Sequence, residues 1–414
     1  MGSLITLGIG CMEIDWGKNN VFLNHSSLFK PSDVKQIPYY YVDMNTDEPI
    51  IEMKEGYERK LSSMKKRLDL LGYNIASIKK MYEELLHEHK GYGCDIRLSF
   101  DVFCEVLKNV DIGKINTVEL AVQFEANGYD FGEYVRRCIL DTPEFKGKLL
   151  VEYDKQDDMY RRPEYEISEF LENIDPYIIL RILAENPNNG KQMVRWNFAD
   201  AVEGGWVQRE EIVKVLDQEK RILIVTEGSS DSYILSKAIE QLFPDISDFF
   251  DFVDMKENYP FTGTGNLYNF CMGLCRINIQ NNIIVIFDND TAGVEKYEKS
   301  LSLKKPASFV VMKLPDYSEF SNICTIGPHG EGMNDINGKA VAIECFLDFE
   351  SVQKPPCVRW TTYNKNQKKY QGELECKDEY VRVFKACDLT EGFYDTSKLK
   401  YLISYIIEQW INHN

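Results

Sequence analysis

The chain opens on a run dominated by apolar and β-branched residues, Ser3–Ile14, a pattern that predicts extended structure. The polar cluster Asp15-Trp16-Gly17-Lys18-Asn19-Asn20 predicts a turn, and Val21–Leu23 and Tyr39–Val42 predict further strands. From about Ile51 the period changes. Leu61, Met64, Leu68 and Leu71 recur at helical spacing, and Ile75, Ile78, Tyr82, Leu85 and Leu86 resume it after a break at Gly72. Helical patterns follow at Phe100–Lys108, Val118–Ala126, Gly132–Leu140, Ile167–Leu171 and Tyr177–Ala184. The turn-rich Asn186-Pro187-Asn188-Asn189-Gly190 interrupts them, and Glu210–Asp217 gives a last helix.

At Arg221 the pattern changes class. Ile222–Val225 is apolar at every position, as in a parallel strand buried on both faces, and it ends at Glu227-Gly228 before a helix over Ser230–Leu242. The alternation continues through a strand at Phe249–Val253, a loop at Gly263-Thr264-Gly265, a helix at Leu267–Arg276 and a strand at Asn282–Phe287. That strand ends in Asp288-Asn289-Asp290, with a helix from Gly293 through Lys299 and two more strands at Ser308–Lys313 and Ala340–Ile343. Such order predicts a doubly wound parallel sheet. After Ser351 come a basic, tyrosine-rich hairpin and an apolar helix at Lys398–Ile411. The expected architecture is multidomain α+β: a small amino-terminal β segment (1–50), a helical region (51–218), a doubly wound α/β domain (219–350) and a small β/α extension (351–414).

A chain of 414 residues with 44% hydrophobic and 28% charged residues has the composition of a globular protein, not of a disordered or fibrous one. The apolar runs fall short of the ~18–20 residues of a membrane span, and no secretory signal pattern opens the chain. A cytoplasmic protein without membrane contact is expected. Eleven cysteines without a C-x2-C pair suit reduced thiols better than disulfides or zinc. The net charge of −18 argues against a protein that coats nucleic acid, yet an acidic site bridged to phosphate by metal tolerates it. Two segments are locally basic. Arg59–Lys80 carries seven basic residues, Lys65 and Lys66 among them, against Asp69 alone, and Lys354–Lys385, with Lys368 and Lys369, carries eight against four acids. Each reads equally as a solvated face.

In an open parallel sheet ligands bind beyond the carboxyl ends of the strands. Glu227 ends one such strand and Asp288-x-Asp290 another, so three carboxylates from two strands converge on one edge. Crowded carboxylates repel, and a bound divalent metal relieves that repulsion. Gly228 is expected to turn the backbone sharply, and Asp231 lies one helical turn on. Singly, each acid reads as a helix cap; jointly, with about sixty residues between Glu227 and Asp288, they are specific.

Ile222-Leu223-Ile224-Val225-Thr226-Glu227-Gly228-Ser229-Ser230-Asp231, followed by Ile283-Ile284-Val285-Ile286-Phe287-Asp288-Asn289-Asp290-Thr291-Ala292-Gly293, resembles the Toprim domain of topoisomerases, primases and OLD-type nucleases. The resemblance implies a general acid or base at Glu227, Mg2+ ligands at Asp288 and Asp290, and at Asp231 the extra acid of the nuclease branch. It also implies a substrate-side glycine loop at Gly263, Thr264 and Gly265, otherwise an ordinary βα turn, and a catalytic lysine, placed at Lys377. Glu344 follows a predicted strand and reads either as a metal or outer acid or as a solvated helix residue. The opening Met1–Gly10, with Glu13–Asn19, resembles the amino-terminal domain of HEPN/Toprim-associated proteins, a bacterial group suspected of defence against foreign genetic elements.

HEPN ribonucleases use an Arg-x4–6-His motif, and none of the five histidines has an arginine at that spacing. The helical region is therefore expected to bind substrate, dimerise or sense. Chain length disfavours a topoisomerase, the cysteine spacing a primase, and the lack of a G-x4-G-K-[ST] loop an ATPase fusion. The expected function is a Mg2+- or Mn2+-dependent nuclease of DNA or RNA in bacterial defence, working as a homodimer or with a partner protein. Glu227, Asp288, Asp290 and Lys377 would be catalytic, Glu227, Asp231, Asp288, Asp290 and Glu344 would hold metal, and Gly263, Thr264, Gly265, Lys65, Lys66, Lys368 and Lys369 would hold substrate. The alternative is a catalytically silent Toprim-fold binding or sensor subunit.

Overall fold

Leu4–Ile9 (β1) and Met12–Lys18 (β2) pair antiparallel around Gly10-Cys11, and Gly10 takes the positive φ of +61° that favours glycine. The architecture comes from a computed structural model describing residues 4–18, 20–42, 46, 49–91, 94–115, 129–130, 151–153, 170–253, 263–328 and 330–413. Of the turn expected at 15–20, Asp15–Lys18 belongs to β2, and the chain turns only beyond Lys18, where the Val21 N–H donates to the Lys18 carbonyl (2.9 Å). Ile5, Leu7, Ile9, Met12 and Ile14 reach the core, whereas Trp16, further along β2, is exposed. Val21–Leu23, expected as a strand, makes one bridge to Lys18 and leaves Val21 and Leu23 exposed.

Val34–Val42 (β3) and Pro49–Lys60 (β4) form a long antiparallel pair, so the helical period starts later than Ile51. The helices Lys65–Leu70 (α1) and Ile75–Gly91 (α2) precede Cys94–Ile96 (β5) and Phe100–Lys108 (α3). Tyr129–Asp130 (β6), Val151–Tyr153 (β7), Pro176–Leu183 (α4), Met193–Asn197 (β8), Ala199–Glu203 (α5) and Arg209–Ile212 (α6) follow. A six-stranded sheet in the order β3-β4-β8-β1-β2-β6 results. The stretch expected to be helical therefore supplies β4, β6 and β8. The expected helix Glu210–Asp217 shrinks to α6 because Val213 leaves helical φ/ψ. The helices expected at 118–126 and 132–140, and most of that at 167–171, lie outside the described residues.

Tyr57, Leu68, Tyr82, Phe103, Phe170, Leu180 and Trp196 form part of one core. Fully buried Arg67 donates from Nε to the Ser27 carbonyl (2.9 Å) and from Nη2 to the Phe29 carbonyl (3.0 Å). Elsewhere in the basic run Arg59–Lys80, Arg59 pairs with Asp33 (2.8 Å), Lys65 with Glu185 (3.0 Å) and Lys79 with Asp101 (3.0 Å). A surplus of positive charge counted along the sequence is thus largely matched by acids from other segments; Lys66 is exposed.

The chain divides into two compact units, Met1–Leu216 and Asp217–Asn414. In the second, Ile222–Val225 (β9), Phe250–Phe252 (β10), Asn282–Phe287 (β11) and Phe309–Lys313 (β13) form a parallel sheet in the order β10-β9-β11-β13. Its helices are Ser229–Leu242 (α7), Thr264–Arg276 (α8) and Thr291–Leu301 (α9). Leu267 and Cys271 of α8 pack on Val225, Ile283, Val285, Phe287 and Phe309. The alternate residues Ile224, Ile284, Ile286 and Met312 are also buried, on the opposite face, which is why these strands read as unbroken apolar runs.

Asn289–Asp290 (β12) pairs antiparallel with Ala340–Val341 (β16), so the strand expected at Ala340–Ile343 lies outside the parallel sheet. A second sheet has the order β15-β14-β17-β18, from Ile323–Gly327 (β14), Gly330–Asn334 (β15), Cys357–Asn364 (β17) and Lys369–Leu374 (β18). Lys377–Ala386 (α10) and Ser397–His413 (α11) follow, α11 packing on β13 and α7. No helix among the described residues is long and apolar enough to cross a membrane.

Candidate active site

β9 and β11 are parallel neighbours, and the chain leaves each at its carboxyl end into an acidic residue. After β9, Thr226 Oγ1 donates to the Gly228 carbonyl (3.0 Å) and lies 2.8 Å from Ser232 Oγ. Gly228 itself is extended, at φ −141°, a conformation open to any residue, so the expected glycine-dependent turn is not what shapes this corner. Its N–H donates instead to Asp231 Oδ2 (2.9 Å), which caps α7.

Glu227 is anchored at both oxygens: Thr264 Oγ1 donates to Oε2 (2.7 Å) and the Asp288 N–H to Oε1 (3.2 Å). The Glu227 carbonyl also accepts from the Gly263 N–H (3.3 Å), where φ is +86°. The Gly263-Thr264-Gly265 loop therefore sits at Glu227. After β11, Asp290 Oδ1 accepts the Gly293 N–H (2.7 Å) and caps α9. A Cβ at Gly293 would stand 2.1 Å from the Asp288 carbonyl oxygen, so the first turn of α9 closes on the Asp288 backbone only without a side chain. Gly293→Ala should cost about 2–4 kcal/mol and displace Asp288, read as a lower urea midpoint.

Burial raises the proton affinity of all five acids, and for Glu227, Asp231 and Asp288 the charge of neighbouring acids in the cluster adds to it. Asp288 is held well above the usual carboxylate range by burial, then by the charges of Asp231, Glu227, Asp290 and Glu344. Asp231 is pushed up to about 7 by burial, then by Glu344 and Glu227, against the opposing Gly228 N–H. Glu227, Asp290 and Glu344 are also raised, each mainly by burial. Glu344 is buried, on the short 3-10 turn Ile343–Phe346, so the solvated reading of it falls.

Lys377, at the start of α10, pairs with Glu373, and its charge partly offsets the upward shift of Glu344. Lys368 is exposed at a φ of +52° in the β17–β18 turn, and Lys369, also exposed, lies 3.6 Å from where a Cβ on Gly338 would stand. Sequence reasoning missed Gln371 on β18. Its Nε2 donates to Asp290 Oδ2, and its Oε1 accepts from the Thr291 hydroxyl and the Thr291 N–H (2.9 Å). One glutamine in a polar hairpin carries no motif; only the fold brings it to Asp290.

The donor set is all carboxylate oxygen, the preference of hard divalent ions such as Mg2+ and Mn2+. Among the described residues no three acidic, histidine or cysteine side chains already meet as a formed metal cage. Oxygens of Glu227, Asp231 and Asp290 are turned to the protein donors just named. An acid-lined carboxyl edge of a parallel sheet places the second unit among α/β folds whose ligand sites lie beyond the strand ends. Residues 1–220, more than half the chain, match HEPN/Toprim N-terminal domain 1, and the chain belongs to that family. No curated protein and no solved structure matches it.

Proposed function

We propose that this chain is a Toprim-type, divalent-metal-dependent nuclease that hydrolyses phosphodiester bonds of DNA or RNA as a bacterial defence effector. The observation that carries the reading is Asp288, half-buried at a strand end under the charges of Asp231, Glu227, Asp290 and Glu344. Glu227, Asp231, Asp288, Asp290 and Glu344 would hold Mg2+ or Mn2+, which when bound supplies Lewis-acid stabilisation of phosphoryl charge and acidifies water. Glu227, fixed by Thr264 and the Asp288 N–H and with raised proton affinity, suits a proton acceptor facing the scissile bond. Lys377, beside Glu344, would offset negative charge on the phosphorane. Lys368 and Lys369, and in the first unit Lys65 and Lys66, are the candidate phosphate contacts.

Both Asp290 oxygens accept protein hydrogen bonds, and this favours the second reading, a silent binding or sensor subunit. The two separate in one experiment. Labelled single- and double-stranded DNA and RNA are incubated with the full chain in Mg2+, Mn2+ or EDTA, with melting curves recorded in parallel. The nuclease reading expects metal-dependent cleavage and a metal-dependent rise in melting temperature. Neither effect with any substrate would leave the silent subunit.

A further inference from the structure

The β17–β18 hairpin has an inner and an outer aspect. Gln371 reaches Asp290, while the residue before it, Tyr370, pairs in register with Tyr363 across the hairpin. The two tyrosine rings lie 5.1 Å apart, and Trp360 is 6.5 Å from Tyr370. Tyr363 is 50% and Tyr370 45% exposed. Lys365 and Lys368, both exposed, stand in the turn that joins the two strands, whereas Lys369 alternates onto the inner aspect with Gln371, its Nζ 3.6 Å from where a Cβ on Gly338 would stand. Arg359 is engaged by Glu375 and the charge of Lys369 acts on Asp316, but no carboxylate among the described residues forms an ion pair with Lys365 or Lys368.

Residues 357–374 hold four basic residues against Glu373 in a chain of net −18, and the turn residues Asn364, Asn366 and Gln367 also bind Glu295 and Glu298 of α9. Clustered rings with unpaired cations fit one ligand chemistry. An unpaired nucleic-acid strand offers base faces for stacking and phosphates for ammonium groups, whereas a duplex keeps its base faces stacked inside. We infer that the Cys357–Leu374 hairpin is a platform for a single-stranded nucleic acid, with bases stacked on Trp360, Tyr363 and Tyr370 and phosphates on Lys365 and Lys368. This deepens the nuclease reading and rests on it: the strand that displays Tyr370 also delivers Gln371 to Asp290, so platform and acid cluster share one strand.

Binding is tested on the full-length Glu227→Gln protein in EDTA, by fluorescence anisotropy with a labelled oligothymidylate of about 12 nucleotides and a duplex of equal length. The single strand should bind at least about tenfold tighter than the duplex, and Tyr363→Ala and Tyr370→Ala should each weaken it by about 5- to 50-fold, with the Phe variants close to the parent. Replacing Lys365 and Lys368 by Ala should flatten the log-affinity against log-salt slope by about 1.4. Equal affinity for duplex, or ring variants that bind as the parent does, would overturn the platform. So would ring variants that change only the oligomeric state in sedimentation, which would make this face a protein contact. A chain that binds single strands but never cuts them refutes the nuclease reading alone; one that cuts while the ring variants bind normally refutes the platform alone.

Discussion

Asp288→Asn and Glu227→Gln should each lower metal-dependent phosphodiester cleavage by about a thousandfold or more while the protein stays folded. An amide binds Mg2+ far more weakly than a carboxylate and accepts no proton from water at neutral pH, so the metal and base contributions fall together. Stability should not fall with them. Asp288 sits among four other acids whose charges oppose its ionisation, and a neutral isostere removes that repulsion. The side-chain amide introduced by Glu227→Gln keeps an oxygen for the Asp288 N–H, and the Thr264 hydroxyl can accept from its NH2 group instead of donating. Melting temperatures in EDTA should equal or exceed that of the parent, while the rise on adding Mn2+ shrinks. Variants that retain full cleavage, or lose it only by unfolding, would contradict the assignment.

The second large effect is a dependence on pH. Asp231, with a folded value of about 7 against about 3.9 for an unfolded aspartate, binds its proton more tightly in the folded chain. Glu227, Asp288, Asp290 and Glu344 shift in the same direction. The stabilisation from these raised groups is complete below about pH 4 and is lost as pH climbs through about 7. In EDTA the transition of the second unit should drop by about 5–10 °C between pH 5.5 and pH 8, a few kcal/mol for a unit of this size. The double variant Asp231→Asn with Asp288→Asn should be nearly flat over that interval. Mg2+ should stabilise the parent more at pH 8 than at pH 5.5, because bound protons compete with the ion. A parent protein that gains stability in EDTA as pH rises would show that these acids are not held protonated by burial.

The second unit was the more legible because its strands announce themselves. Asn282–Phe287 and Ile222–Val225 are buried on both faces, so each is a continuous apolar run with sharp ends, and the acids follow at once. The first unit hides its sheet. In β8 only Val194 and Trp196 are buried, in a strand of five residues, and nothing local separates such a segment from the helical patterns around it. The partners of Arg59 and Lys65, Asp33 and Glu185, could not be read from charge counted along a window. Glu344 was visible as an acid after a strand, but its burial comes from tertiary packing. Gln371 had no signature at all, since its meaning is the company it keeps across 81 positions of chain.

That last contact bears on how far the acid-bearing sheet can be transplanted. A boundary drawn at residue 350 looks natural from the strand–helix alternation, yet it would cut away β18 and, with it, the donor on Asp290 Oδ2 and the acceptor for the Thr291 N–H. The excised piece would keep every acid of the cluster and lose the amide that orients one of them. The hairpin is therefore part of the wall of the acid cluster, and a graft or chimera that keeps this contact takes the compact unit Asp217–Asn414 whole.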